Sequence, residues 1–487
     1  MATHLVWLRN DLRLNDNSAL WAACRRREDR VIALFIATPE QWRRHNMSPR
    51  QADYIWRSLQ LLQQGLAEKG IALHYHQCDD FNAAVSYLQQ FCRERQVKAL
   101  FYNYQYEFNE RERDAAVERL LPQQGVTVQG FDDGVLLPPG SVRTGNQKMY
   151  KVFTPFSRAC LKRLRDDLPP CLPAPEARAD ATADEPSTLT PFDYLRHSID
   201  EQLFPPGEAA ALRRLREFCR QQVVDYPARR DYPAYESTSR LSVCLAVGTL
   251  SPRQCLHRLL REQPHALEAG PGSVWLNELI WRDFYRHLLV AFPALCKNQP
   301  FMAWTKQLAW QQRPEQFNAW CEGKTGFPIV DAAMRQMNAT GWMHNRLRMI
   351  TASFLVKDLQ IDWRRGERYF MSVLIDGDLA ANNGGWQWAA STGTDAVPYF
   401  RIFNPTTQGE RFDKQGEFIR RWLPELAAVP DSAIHDPHGW AKKNHQRLDY
   451  PQPIVEHKAA RQQTLAIFEA ARKASPVISP EQVNEQF

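Results

Sequence analysis

Between Asp376 and Trp388 the chain runs Asp-Gly-Asp-Leu-Ala-Ala-Asn-Asn-Gly-Gly-Trp-Gln-Trp, with two carboxylates, two asparagines, three glycines and two indoles in thirteen residues. Asp376, Gly377 and Asp378 open it, and Asn382, Trp386 and Trp388 follow. Read as a helix capped by Asp378, it places Asp378, Asn382 and Trp386 at i, i+4 and i+8 on one face. Gly385 falls in the same stripe. Two adjacent glycines inside a helix cost about 1 kcal/mol each relative to alanine. That cost fits a flat group lying close against the backbone. A Gly-rich loop flanked by structural tryptophans fits the same residues.

Other stretches add chemistry. Ser273 can cap a helix running to about Phe292, with Leu276, Leu279, Ile280, Asp283, Phe284 and His287 on one side. Glu278, Trp281, Arg282 and Tyr285 take the other side, where Trp281 asks for either a neighbouring helix or a stacked ligand. The spacing predicts a second helix over 341–358, with Met343, Leu347, Ile350 and Phe354 as its core face. Asn345, Arg348, Met349 and Ala352 form the opposite face, with Arg346 to one side. An Arg with Asn and Met suits an anionic or aromatic ligand, or an Arg paired with Asp376 or Asp378. Thr238-Ser239-Arg240-Leu241-Ser242 offers hydroxyls and backbone N–H groups at a helix start, a seat for phosphate. Gly323-Lys324-Thr325 is a decoy, because a phosphate-binding loop needs Gly where Asn318 stands. Arg230, Arg346 and Arg401, with Arg364, Arg365, Lys442 and Lys443 as weaker candidates, suit a phosphate-tracking surface. Trp281 and Trp388 among them can stack on unpaired bases.

The elements that position these residues fall into two kinds. Residues 3–9, 30–38, 71–78, 98–106 and the stretch from Val126 read as strands. Helices over 49–69 and 81–95, and a charged one that Asn109 can cap, alternate with them. The alternation implies a doubly wound parallel sheet over residues 1–140. No Gly-x-Gly-x-x-Gly follows the first strand, so a dinucleotide site of that kind is not expected. Ligands of such sheets gather at the strands' carboxyl ends, here Arg9–Arg13, Pro39–His45 and Tyr106–Glu110. His74 and His76 share one face of a strand and read as surface histidines, with no metal site. A Pro-rich linker over 141–207 leads into a helical domain over 208–475, with a short tail at 476–487. The fold class is thus α/β plus all-α.

Composition sets the outer bounds. The 487 residues hold 44% hydrophobic and 24% charged side chains, as in ordinary globular proteins. Lys and Arg outnumber Asp and Glu by 61 to 55, a net +6 that is compatible with a nucleic-acid partner. Ten cysteines lack Cys-x-x-Cys spacing, and none follows Cys321, which argues against disulfide frameworks, zinc sites and a C-terminal iron–sulfur cluster. Neither a targeting segment nor a membrane-spanning run is present, so a reducing, cytoplasmic setting is expected. Eleven of the fifteen tryptophans lie after residue 270, which concentrates aromatic chemistry in the helical half.

Taken together, five stretches resemble the DNA photolyase/cryptochrome family, and within it a folate-type cyclobutane pyrimidine dimer photolyase. They are residues 7–17 (WLRNDLRLNDN), 238–242 (TSRLS), 275–287 (WLNELIWRDFYRH), 341–349 (GWMHNRLRM) and 376–405. The resemblance implies FAD, reduced in its active form, in the helical domain. Tyr226, Thr238, Ser239, Arg240, Leu241 and Ser242 match its phosphate contacts. Trp342, Asn345, Arg348, Asp376, Gly377, Asp378 and Asn382 match residues around its ring, with Asn382 opposite N5. Glu278, Trp281, Met349 and Trp388 match the pocket for a dimer flipped out of the duplex. Arg230, Arg346 and Arg401 match positions that grip phosphates of double-stranded DNA. Trp386, Trp363 and Trp310 match a chain of tryptophans carrying an electron to oxidised flavin. His45, Asn109, Glu110 and Lys297 lie where a 5,10-methenyltetrahydrofolate antenna sits; a deazaflavin is the alternative. The implied reaction is a light-driven electron transfer that splits the cyclobutane ring, in a monomer.

Three rivals differ in residues. A cryptochrome senses blue light without repair and often lacks the lesion-pocket groups, all present here. A (6-4) photolyase relies on paired histidines, and Met349 stands at one such place. A nicotinamide-dependent flavoprotein needs a fingerprint that is missing. The chain also ends soon after Phe468 with no long extension.

Overall fold

The computed structural model describes residues 2–178 and 186–475, so the expected tail at 476–487 lies outside the described residues. The chain divides into two compact units. The first comprises Met1–Pro227, Thr238–Cys296 and Ile375–Ala380; the second comprises Ala228–Ser237, Lys297–Leu374 and Ala381–Phe487.

The first unit holds a five-stranded sheet: β1 Thr3–Leu8, β2 Arg30–Ala37, β3 Ala72–Gln77, β4 Val97–Asn103 and β5 Thr127–Phe131. The order is β3-β2-β1-β4-β5 and all four pairings are parallel. The chain moves outward from β1 to β3 and then returns to build β4 and β5 on the other side. With right-handed crossovers this sends helices to both faces, a doubly wound sheet. In β2, seven of eight residues are buried, as an apolar strand covered on both faces requires. His74 is 4% exposed, so it is a core histidine rather than the surface residue expected; Phe91 packs edge-on against it at 5.3 Å. Residues 186–207 have little regular structure but are anchored. Phe192 is buried among Trp42, Trp56 and Phe35, and Ser187 N–H donates to Leu73 C=O at 3.1 Å.

The described part of the second unit is helical. One apolar cluster runs through Trp320, Met334, Leu347, Phe354, Trp363, Phe370 and Trp386. The single helix expected over 341–358 is broken into parts. Gly341, at φ +75°, ends the helix Pro328–Thr340 in the left-handed conformation that glycine adopts without strain. The α-helix then spans Asn345–Ser353, capped by the His344 ring, and continues as a π-helix over Phe354–Asp358. Met343 therefore precedes the helix, and Ala352 is buried.

Candidate functional site

The stretch 376–388 is helical from Leu379 to Ala390, with Asp378 immediately before it. Asn382 and Trp386 both turn toward the helix Trp363–Val373. The Asn382 Nδ2 donates to the Glu367 carbonyl at 2.9 Å. The Trp386 indole packs edge-on against Phe370 at 4.9 Å and Trp320 at 6.0 Å. Gly366 permits this, because a Cβ there would overlap the indole. Trp386 is thus a core residue, 2% exposed. A Cβ at Gly385 would meet no protein atom within 4 Å, so packing within the protein does not demand that glycine.

Glu367 is a residue that sequence reasoning missed. It is buried, and its Oε1 accepts from Asn383 Nδ2 at 2.8 Å. The Asn383 Oδ1 accepts from Gln387 Nε2 at 3.0 Å, and Gln387 Oε1 accepts from Phe301 N–H at 2.9 Å. Burial pushes the Glu367 carboxyl up to about 7, against the opposing effect of the Asn383 hydrogen bond. The helix carrying Asn382 is thereby fixed by polar contacts on one side and by Trp386 in the core.

Further second-unit candidates lie nearby in sequence. Asn345 is exposed, while Arg346, Arg348 and Met349 are half-buried on the open side of their helix. Trp342 is buried before it. Arg348 Nε donates to Met343 C=O at 2.9 Å. Arg346 pairs with Asp231 at 2.9 Å and lies 4.5 Å over the Phe412 ring. Arg230 also faces Asp231, at 4.0 Å. Arg401 is exposed, and Trp388 is half-buried near Phe403. Trp363 is buried, and Trp310 stands half-buried at the rim of the same apolar cluster.

In the first unit, Asp378 pairs with Arg286 of the helix Pro271–Ala291. Gly377 C=O accepts from Gln51 Nε2 at 2.8 Å, and Asp376 is buried. That helix begins at Pro271 with Gly270 before it, so Ser273 lies inside it, its Oγ donating to Gly270 C=O at 2.7 Å. Glu278 and Trp281 are half-buried on it. Asp283 accepts from Leu136 N–H at 2.7 Å and Leu137 N–H at 3.2 Å, and burial pushes its carboxyl up to about 6. Tyr226 is buried. Thr238 to Leu241 precede the six-residue helix Ser242–Val247, with Arg240 at φ +51°.

The sheet's carboxyl end behaves differently in its two halves. At the β1/β4 switch point, where open sheets of this type bind ligands, charged side chains pair beside a cavity lined in part by Asn10, Asp11, Arg13, Asn103, Arg286 and Asp378. Arg9 N–H donates to Asp11 at 2.6 Å, Asn103 Nδ2 to Asp11 at 2.7 Å, and Arg253 Nη2 to Asp133 at 2.7 Å. Arg13 joins through Asp133 and is 2% exposed. The other two rim loops do meet. His45 Nε2 lies 2.9 Å from Asn109 Nδ2 and Nδ1 lies 3.4 Å from Glu110 Oε1. The helix there begins at Phe108, so Asn109 is not its cap. Lys297 falls in the second unit.

Comparison with known proteins places these residues in a family. The family model described as DNA photolyase matches residues 4–176, and that of the FAD binding domain of DNA photolyase matches residues 275–470. The chain is 65% identical over 475 residues to a deoxyribodipyrimidine photo-lyase of Salmonella typhimurium, covering 98% of this chain and 100% of that relative. A solved bacterial class III photolyase from Agrobacterium tumefaciens is 35% identical with a TM-score of 0.88, over 97% of this chain and 98% of that one. A Synechocystis cryptochrome structure is 28% identical with a TM-score of 0.86, over 96% and 99%. The chain belongs to the DNA photolyase family, and it carries that family's FAD-binding domain.

The residues present fit FAD. Half-buried Arg348 and Asn382 offer a cation and an amide, and hydroxyls of Thr238, Ser239 and Ser242 stand beside a helix start.

Proposed function

We propose that this chain repairs cyclobutane pyrimidine dimers in DNA by a light-driven reaction. The observation that carries the reading is the 65% identity, end to end, with a relative named deoxyribodipyrimidine photo-lyase. The 28% identity with a cryptochrome is far weaker support for a sensor without repair activity.

FAD, when bound in its reduced form, supplies the light-excited electron that opens the cyclobutane ring. Tyr226 and Thr238, Ser239, Arg240, Leu241 and Ser242 hold its phosphates. Trp342, Asn345, Arg348, Asp376, Gly377, Asp378 and Asn382 surround its ring. The hydrogen bond to the Glu367 carbonyl presets the Asn382 amide, leaving its oxygen to act as acceptor. Glu278 hydrogen-bonds the dimer, Trp281 and Trp388 stack against it, and Met349 gives it an apolar contact. Arg230, Arg346 and Arg401 bind phosphates of the flanking duplex. Trp310, Trp363 and Trp386 give aromatic rings from rim to interior of one core, a path for an electron.

His45, Asn109 and Glu110, with Lys297, bind 5,10-methenyltetrahydrofolate as antenna in this reading. Their support is the contact of His45 with both Asn109 and Glu110. The protein acts as a monomer in the cytoplasm, consistent with ten free thiols and with no described helix long and apolar enough to cross a membrane. Extraction of the chromophores and their absorbance spectra test the cofactors, while illumination of a dimer-containing oligonucleotide tests repair. A spectrum without a folate band overturns the antenna, and dimers that outlast the light overturn the function.

A further inference from the structure

Phe153 lies within a stretch of one-sided charge. From Gly134 to Arg165 the chain has seven Lys and Arg and no Asp or Glu. Arg143 and Lys148 are exposed on a turn closed by an antiparallel bridge between Arg143 and Met149, and Val152 is 42% exposed. Such a segment suits a polyanion. Phe153 itself turns inward and lies flat on Trp281, with ring centroids 3.6 Å apart and planes within 5°. Phe284 meets both rings edge-on, at 5.9 Å and 5.7 Å. Free aromatic pairs prefer offset or edge-on contacts at about 4.5–7 Å. The parallel stack is therefore set by the helices Phe153–Asp166 and Pro271–Ala291 that carry the rings. The plane of a half-buried indole is fixed before anything docks on it, and a preset plane lowers the ordering cost of stacking.

We propose that Phe153 is a positioning residue for lesion recognition: it holds the plane of the Trp281 indole against which a flipped-out dimer stacks, and so favours damaged over undamaged DNA. The inference rests on the assignment of Trp281 to the dimer pocket. Simple core packing by Phe153 accounts for its burial but predicts no such preference.

The experiment uses full-length, flavin-loaded protein and two duplexes, alike except for one cyclobutane thymine dimer. Binding is read by fluorescence anisotropy. Phe153→Leu weakens dimer binding by about fivefold, the scale of one aromatic contact. Affinity for the undamaged duplex, flavin content, melting temperature and turnover at saturating dimer stay as in the parent. Phe153→Tyr restores the preference, and Phe153→Met reads the same quantities where leucine lowers the melting temperature. Unchanged dimer affinity in these variants, or equal loss on both duplexes, overturns the positioning role. If Trp281→Ala also leaves dimer affinity unchanged, the pocket assignment falls and the inference with it. If Trp281→Ala weakens dimer binding while the Phe153 variants do not, only the inference falls.

Discussion

The Trp386 indole stands where a side chain at Gly366 would have to go. A Cβ on Gly366 would overlap the ring, and the Leu355 side chain closes the same space. The glycine sits inside the helix Trp363–Val373, where it lowers helix propensity, so its place is set by packing against the tryptophan.

Gly366→Ala therefore overpacks the core despite its better helix propensity. We expect destabilisation of about 1–3 kcal/mol. Denaturant unfolding measures it, and a gain in stability would show that the indole yields freely.

Lys357 carries a pH signature. It is 1% exposed, donates to Ser391 Oγ at 2.8 Å, and its Nζ lies 3.9 Å over the Phe468 ring. Burial pulls its ammonium down from 10.5 to about 7. Between those values the unfolded chain holds a proton that the folded one lacks, so stability rises with pH. The slope is about 1.4 kcal/mol per pH unit from this group, and below pH 7 its penalty is constant. Lys357→Met removes the slope. A parent whose stability is flat from pH 7 to 9, after correction for other groups, contradicts the burial argument.

Arg286 and Asp378 form an ion pair with side chains 7% and 14% exposed. Arg286→Ala removes the Asp378 carboxylate's cationic partner in this pair and costs about 3–5 kcal/mol. The double change Arg286→Met with Asp378→Leu costs less. Equal losses in equilibrium unfolding would mean that packing, rather than charge, holds the pair.

Trp310 and Glu278 separate the electron path from the lesion pocket. Trp310→Phe slows photoreduction several-fold, while repair by already reduced protein is nearly intact. Glu278→Ala lowers repair yield with flavin retained. Transient absorbance and flavin content distinguish them: repair lost in parallel with photoreduction refutes the first role, and flavin loss makes the second structural.

The sheet was legible because β2 is one apolar run, and because 49–68 repeats its apolar residues at helical spacing. Helix ends were less so. Pro271 starts its helix before Ser273, and Gly341 leaves the helical conformation just where the 341–358 pattern is apolar. Asp378, Asn382 and Trp386 were legible as types, but their partners Arg286, Glu367 and Gly366 were not. Those pairings join residues distant in sequence, and no local spacing encodes them. Gly366 left one trace, a glycine in mid-helix. His74 looked polar on a strand, yet its ring is covered by Phe91.

The most direct test follows a single oligonucleotide set under blue light, with one cyclobutane thymine dimer, one (6-4) lesion, or none. With reduced, flavin-loaded protein, the dimer returns to two thymines only in the light, while the (6-4) lesion persists. Dimers that survive illumination by protein that binds them would contradict the account.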